Sequence, residues 1–258
     1  MAVSLFIKLK ILVESIKILK NWYFYPLIHF KLVKSDHVVL ETRNGIKLKI
    51  RVFSTDLIAF THVWILEEYK KSGFEIKNDD TILDIGAHIG LFALYVSQFC
   101  KNGKIFCFEP VDENFNLLKE NIKLNNIKNI IASKLAVSSK SGNVTIFLNE
   151  DESGHSMYLL GSKSVQVKSI SLKEILDSNN IEKCDFIKMD CEGEEYEIIN
   201  SLPEDYFEKI KKMCIEYHFA EEKPNLIKDL MNKLKTYSYS TSIRPILKDI
   251  GFLYALKK

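Results

Sequence analysis

Apolar and polar residues change period several times along this chain. Leu5, Leu9, Leu12, Ile16 and Leu19 recur at helical spacing and predict an amphipathic helix near the start. Residues 38–43 alternate toward a strand, and 46–53 reads as its return partner. Asn44-Gly45 between them suits a tight hairpin turn. Asp56 is placed to cap a helix running through Trp64 to about residue 71, ended by Gly73. From residue 81 a different texture begins. Short apolar runs at 81–85, 104–108, 129–135, 165–170, 185–189 and 212–217 read as strands. Helical patterns follow at 91–99, 112–125, from Ser171, from Glu194 and at 225–234. Ser171 with Glu174 makes a capping box. Gly142 is expected to turn a hairpin into 144–148, and 252–256 closes the chain as a strand.

Strands that alternate with helices over about 150 residues predict a mostly parallel sheet with helices on both faces, an α/β fold. Residues 1–72 are expected to form an N-terminal extension of helix, hairpin and helix, and 73–258 the main domain. Such sheets bind ligands outside the carboxyl ends of their strands. The positions to inspect are therefore 86–90, Glu109, Ala136-Val137, 190–192 and 216–218.

Composition narrows the partners. The net charge of +2 gives no reason to expect a nucleic acid. No apolar stretch approaches the roughly 20 residues that span a bilayer. Lysines interrupt the first apolar region, which argues against a signal peptide. Residues 1–34 nevertheless carry Lys8, Lys10, Lys17, Lys20, Lys31 and Lys34 against Glu14, with Trp22, Tyr23, Phe24 and Tyr25 clustered after the helix. This segment either packs on the body of the protein or lies on an anionic membrane surface. Cys100, Cys107, Cys184, Cys191 and Cys214 form no CxxC pair and mostly sit in apolar runs, so they read as reduced core thiols of a cytoplasmic protein.

The turn Gly86-x-x-x-Gly90 follows a strand and opens a helix, where backbone N–H groups come close to a ligand. A dinucleotide turn needs G-x-G-x-x-G, and here position 88 is His and position 91 is Leu. Asp84 precedes the turn and can hold it or meet a cationic ligand. Glu109 ends the next strand, where an acid meets two ribose hydroxyls. A cationic nucleoside without phosphates, such as S-adenosylmethionine, fits better than NAD.

Three stretches, Asp84-Ile85-Gly86-Ala87-His88-Ile89-Gly90, Phe108-Glu109-Pro110 and Ile187-Lys188-Met189-Asp190-Cys191-Glu192-Gly193, resemble in that order the FkbM family of S-adenosylmethionine-dependent methyltransferases. The resemblance implies a Rossmann-like class I methyltransferase fold with a seven-stranded sheet. It also implies methyl transfer, typically to a hydroxyl oxygen, in several members on sugars, glycans or polyketide-type products. Carried over by position, Asp84, Gly86 and Gly90 are expected to shape the cofactor pocket and Glu109 to bind the ribose; Ala87 and His88 in the turn, and Val137 past a strand end, are further cofactor-binding candidates. The family usually has Asn where this chain has His88.

Residues 188–197 read KMDCEGEEYE. Asp190 and Glu192 fall at a strand end and in a turn beside the cleft, and are candidates to bind an acceptor and take its proton. Glu194, Glu195 and Glu197 are expected to be solvated acids in a first helical turn. Glu216 and His218 share one face of another strand end, and His218 is a candidate general base. Asp190, Glu192 and His218 could also hold a divalent metal, but sequence does not show which strands adjoin, and no metal is assigned. His155, in a polar loop, is within conceivable reach of the cleft. The expected activity is O-methylation of a saccharide, glycan or related natural product. The alternatives are an NAD-dependent sugar-modifying oxidoreductase and a non-catalytic module that binds S-adenosylmethionine.

Overall fold

The computed structural model describes residues 5–148 and 163–258; His155 lies outside them. The chain starts with α1 (Leu5–Ile18) and α2 (Phe24–His29), then the antiparallel hairpin β1 (His37–Glu41) and β2 (Lys47–Arg51). Gly45 takes φ +87° in its turn, as the Asn-Gly pair predicts. Next come α3 (Asp56–Phe60) and a π-helical turn, Thr61–Ile65. The helix expected to run to about residue 71 thus stops early. Asp56 does not cap it; its buried carboxylate accepts bonds from Arg51 instead.

The central elements are β3 (Thr81–Ile85), α4 (Leu91–Val96), β4 (Lys104–Phe108), α5 (Asp112–Leu124), β5 (Ile130–Ser133), β6 (Ala136–Ser138), β7 (Gly142–Leu148), β8 (Lys163–Ser171) and α6 (Leu172–Ser178). They are followed by β9 (Phe186–Met189), α7 (Glu195–Ser201), a 3-10 turn (Glu204–Lys209), β10 (Lys212–Tyr217), α8 (Pro224–Thr236), β11 (Tyr239–Pro245) and β12 (Gly251–Lys257). Ser171 caps α6 by accepting from the Glu174 N–H, as its sequence predicts.

Seven strands form one sheet in the order β11-β12-β10-β9-β3-β4-β5. Only β12 opposes its neighbours; β9, β10, β3, β4 and β5 pair in parallel. After β5 the chain returns to the other side of β3, so the order reverses between β3 and β9. That is where a crevice opens in such sheets. A smaller sheet, β6-β8-β7, lies apart. Gly142 therefore does not turn β6 into a hairpin with β7: β8 sits between them, parallel to β6 and antiparallel to β7.

Strand side chains alternate between two apolar layers, as the pleat requires. Ile82, Ile105, Cys107, Phe186 and Cys214 join the layer that holds α4 and α5. Leu83, Phe106, Ile187, Met213 and Ile215 join the layer of α6, α7 and α8. Leu19, Leu40, Leu48, Ile50 and Phe60 from the N-terminal segment belong to the first layer, so this segment buries its apolar residues against the sheet domain. In α1 the buried line runs through Ser15 to Leu19, while Leu9 is exposed. All five cysteines are free, and four are buried.

Candidate active site

The strand-order reversal holds a cavity of about 230 Å³. Gly86, Ala87 and His88 form one wall, and Phe108, Glu109 and Val111 a second. Val137, Lys188, Asp190, Glu192 and Glu216 also line it, with Ile58, Val63 and Tyr69 from the segment before β3. Thus the sequence candidates Gly86, Ala87, His88, Glu109, Val137, Asp190 and Glu192 converge on one space.

The turn after β3 is shaped by contacts that only glycine permits. Gly86 has φ +73°, and a Cβ there would stand 1.9 Å from the Asp190 backbone oxygen. The two strand ends at the reversal are therefore pressed together. Gly90 serves a different purpose: it does not line the cavity, and a Cβ there would meet the Leu118 side chain at 2.4 Å. It lets α4 pack on α5.

Asp84 lies beneath the turn, fully buried and away from the cavity lining. Its Oδ1 sits 3.3 Å from Lys188 Nζ, and Lys188 donates to the Gly86 carbonyl at 2.5 Å. The acid thus holds the turn through a lysine, not through backbone N–H groups. Burial raises the Asp84 carboxyl, against the lowering by Lys188. Glu109 is also buried, and accepts from His88 N–H at 2.8 Å and Val111 N–H at 3.0 Å. Burial outweighs those bonds and pushes its carboxyl up to about 7.

His88 occupies a left-handed conformation, φ +50°. Its Nε2 accepts from Arg51 at 3.0 Å, and Asp56 lies 3.4 Å away. Burial lowers the imidazole to about 4, so it stays neutral and Nε2 is free to accept. Arg51 also forks onto Asp56 at 2.7 and 3.0 Å and reaches Asn114 at 2.9 Å. The hairpin is thereby bolted to the turn after β3.

The acidic run divides by depth. Glu197 is exposed, as expected of a helix start. Glu194 and Glu195 are instead buried, because α7 begins against the sheet and not in water. Glu194 accepts from Ser138 at 2.7 Å. Glu195 accepts from the Cys191 and Gly193 N–H groups at 2.8 and 2.9 Å and lies 3.1 Å from His218 Nδ1. His218 Nε2 then faces Glu192 at 3.5 Å. Burial works to lower the His218 pKa, but Glu195, Glu192 and Asp190 together hold it at about 10. A ring that keeps its proton at neutral pH does not serve as a general base, whatever its place on the strand. His218 lies at the back of the cluster and does not line the cavity itself.

Among the residues lining the cavity are four acids, Glu109, Asp190, Glu192 and Glu216, and one lysine or arginine, Lys188. Apolar Phe108, Val111 and Val137 stand beside the acids. This set suits a flat heteroaromatic base, a ribose and a cationic centre, the parts of S-adenosylmethionine.

Comparison with known proteins agrees. The profile of the methyltransferase FkbM domain matches residues 84–254. The chain belongs to the FkbM methyltransferase family. Membership makes it an S-adenosylmethionine-dependent methyltransferase. It is 25% identical to the hexuronic acid methyltransferase AglP of Haloferax volcanii, over 69% of this chain and 71% of that one. It is 22% identical to methyltransferase 1 of Beauveria bassiana, over 54% of this chain and 65% of that one, just under two thirds of its length. Among solved structures, M. jannaschii TYW2 in complex with AdoMet aligns at 17% identity and a TM-score of 0.48, covering 86% of this chain and 85% of that one.

Several residues around this cavity escape sequence reasoning. Arg51, Asp56, Asn114 and Glu195 reach it from elements whose packing no local pattern reveals. One signal existed for Glu195: it precedes the apolar Ile198-Ile199 by a helical turn and so shares their buried face.

Proposed function

We propose that this protein methylates a hydroxyl oxygen of a saccharide, glycan or related natural product. The observation that carries the reading is the placement of Asp190 and Glu192, two carboxylates lining the crevice where β3 and β9 part. Paired carboxylates accept the paired hydroxyls of a sugar. AglP, a hexuronic acid methyltransferase, supports a sugar-related acceptor.

In this reading Gly86, Ala87 and His88 form the floor under the cofactor, Gly90 and Asp84 hold that floor in place, and Val137 packs beside the base. Glu109 accepts the His88 and Val111 N–H groups and a side-chain bond from Asn114, and the acceptor capacity left on its carboxylate is offered to the ribose hydroxyls. Bound there, S-adenosylmethionine supplies an electrophilic methyl: the acceptor oxygen gains it and the S–C electron pair stays on sulfur. Asp190 and Glu192 align the acceptor hydroxyl and take its proton as the new bond forms. His218, held by Glu195, keeps Glu192 in position.

The test is incubation with radiolabelled S-adenosylmethionine and hexuronic-acid-containing or total cell glycans. Label appearing as an alkali-stable ether, lost in Asp190→Asn, supports the reading. Label on nitrogen or on an ester, or turnover untouched by both Asp190→Asn and Glu192→Gln, overturns it.

We further propose that the segment 1–34, besides packing on the sheet domain, touches an anionic membrane surface. Trp22, Tyr23, Phe30 and Leu32 are exposed beside exposed Lys20 and Lys31. No helix among the described residues is long and apolar enough to cross a membrane. Co-sedimentation with vesicles containing phosphatidylglycerol, and its loss in Trp22→Ser with Phe30→Ser, checks this; equal sedimentation with neutral vesicles overturns it.

A further inference from the structure

Asp190, Glu192 and His218 each present one ligand atom, and these atoms all lie within 4.8 Å of one another. Among the described residues this is the group of histidine, cysteine and acid side chains with such spacing. Two are carboxylate oxygens that face the cavity; the third is an imidazole nitrogen behind them. One imidazole with two carboxylates, leaving room for further oxygens, is a donor set for a divalent cation of the Mg²⁺ and Mn²⁺ class.

The support behind the histidine points the same way. Glu195 is completely buried and takes N–H groups of Cys191 and Gly193 on its two oxygens. It engages His218 through Nδ1 at 3.1 Å, which leaves Nε2 directed at Glu192. A carboxylate that fixes one ring nitrogen so that the other faces a cation is the usual outer support of a metal-bound histidine. Glu192 itself holds a left-handed backbone, φ +52°, which turns its side chain back toward His218. A cation bonding at about 2.1 Å sets neighbouring ligands about 3.0 Å and opposite ligands about 4.2 Å apart, so the three atoms, now within 4.8 Å of one another, draw in around it by side-chain rotation.

We propose that Asp190, Glu192 and His218 bind one divalent cation at the mouth of the cofactor cavity, and that this cation chelates two adjacent oxygens of the methyl acceptor. The proposal rests on the methyltransferase reading and deepens it: the acceptor becomes a vicinal diol or a hydroxyl next to a carboxylate. The open positions of the cation bind both oxygens, and its charge lowers the pKa of the one to be methylated. That hydroxyl proton passes to the second, unligated oxygen of Asp190.

The test uses the full chain, stripped with EDTA, and titrated with Mn²⁺ alone while free Mn²⁺ is followed by electron paramagnetic resonance. One saturable site per chain is expected. Glu192→Gln and His218→Ala should each weaken it at least about tenfold, and Glu195→Gln about tenfold through the ring it orients. Thermal melting and binding of S-adenosylhomocysteine confirm that each variant is folded; Glu192 is partly exposed, so its variant serves where His218→Ala fails to fold. Absence of a saturable site in the wild-type chain, or unchanged Mn²⁺ affinity in folded Glu192→Gln, overturns the proposal. Failure of S-adenosylhomocysteine to bind would instead overturn the methyltransferase reading and leave the metal result standing.

Discussion

Glu195 Oε1 lies 3.1 Å from His218 Nδ1, with both side chains almost wholly removed from solvent. Each fixes the other: the carboxylate is tethered by two backbone N–H groups, and the ring closes the strand end of β10. Removing one partner of a buried pair strands the other, at about 3–5 kcal/mol. Glu195→Ala is therefore expected to lower the melting temperature by roughly 6–20 °C, read by calorimetry. A loss no larger than that of Glu197→Ala on the exposed side would contradict this account.

The same pair sets a pH dependence. His218 holds its proton in the folded chain up to about 10, against 6.5 for the unperturbed ring. Its contribution to stability is full below about 6.5 and is lost as pH climbs through 10. His88 works in the opposite direction. Its folded value is near 4, so its contribution is full above about 6.5 and is lost as pH drops through 4. Urea midpoints across that range should pass through a maximum near pH 6.5, with the decline on the alkaline side flattened in His218→Gln.

Gly86→Ala places a Cβ against the Asp190 carbonyl in a backbone conformation that alanine resists. No flexible side chain is there to yield. A cost of about 2 kcal/mol and at least a tenfold weaker grip on S-adenosylhomocysteine are expected by calorimetric titration. His88→Asn, by contrast, keeps a residue that tolerates the left-handed region and should bind the ligand within a few-fold of wild type.

Glu109 gives the cofactor its own pH signature. Its carboxyl sits near 7 in the ligand-free chain, and the ionised form accepts ribose hydroxyls more strongly. Affinity for S-adenosylhomocysteine should rise with pH through about 7 and then level off. Glu109→Gln should be about tenfold weaker and show no such rise.

Much of this was legible in the residues themselves. The 81–85 strand, the glycine turn and the acid closing β4 are local features, and local chemistry favours them: a positive φ with a backbone oxygen pressed close, as at Gly86, needs glycine, and an apolar run between turns needs burial on two faces. In that order the stretches resemble the FkbM family, whose profile matches residues 84–254. The sequence also placed Asp190 and Glu192 beside the cleft, because a strand end in a parallel sheet has few other places to go. The fate of Asp84 was not legible. Whether an acid faces a ligand or a lysine depends on which strand lies next to it, and β9 is about a hundred residues away in the chain.

What the sequence determined alone, then, was periodicity: which segments are strands, which turns demand glycine, and that a buried parallel sheet results. What only the tertiary structure decided was pairing between distant groups. Glu195 reads as a surface acid until α7 docks on the sheet, and Arg51 reads as the end of a hairpin until it meets His88 and Asn114. The reason is physical. Backbone preferences act over a few residues, whereas burial and charge act through space, and their outcome waits until the chain has brought its strands side by side.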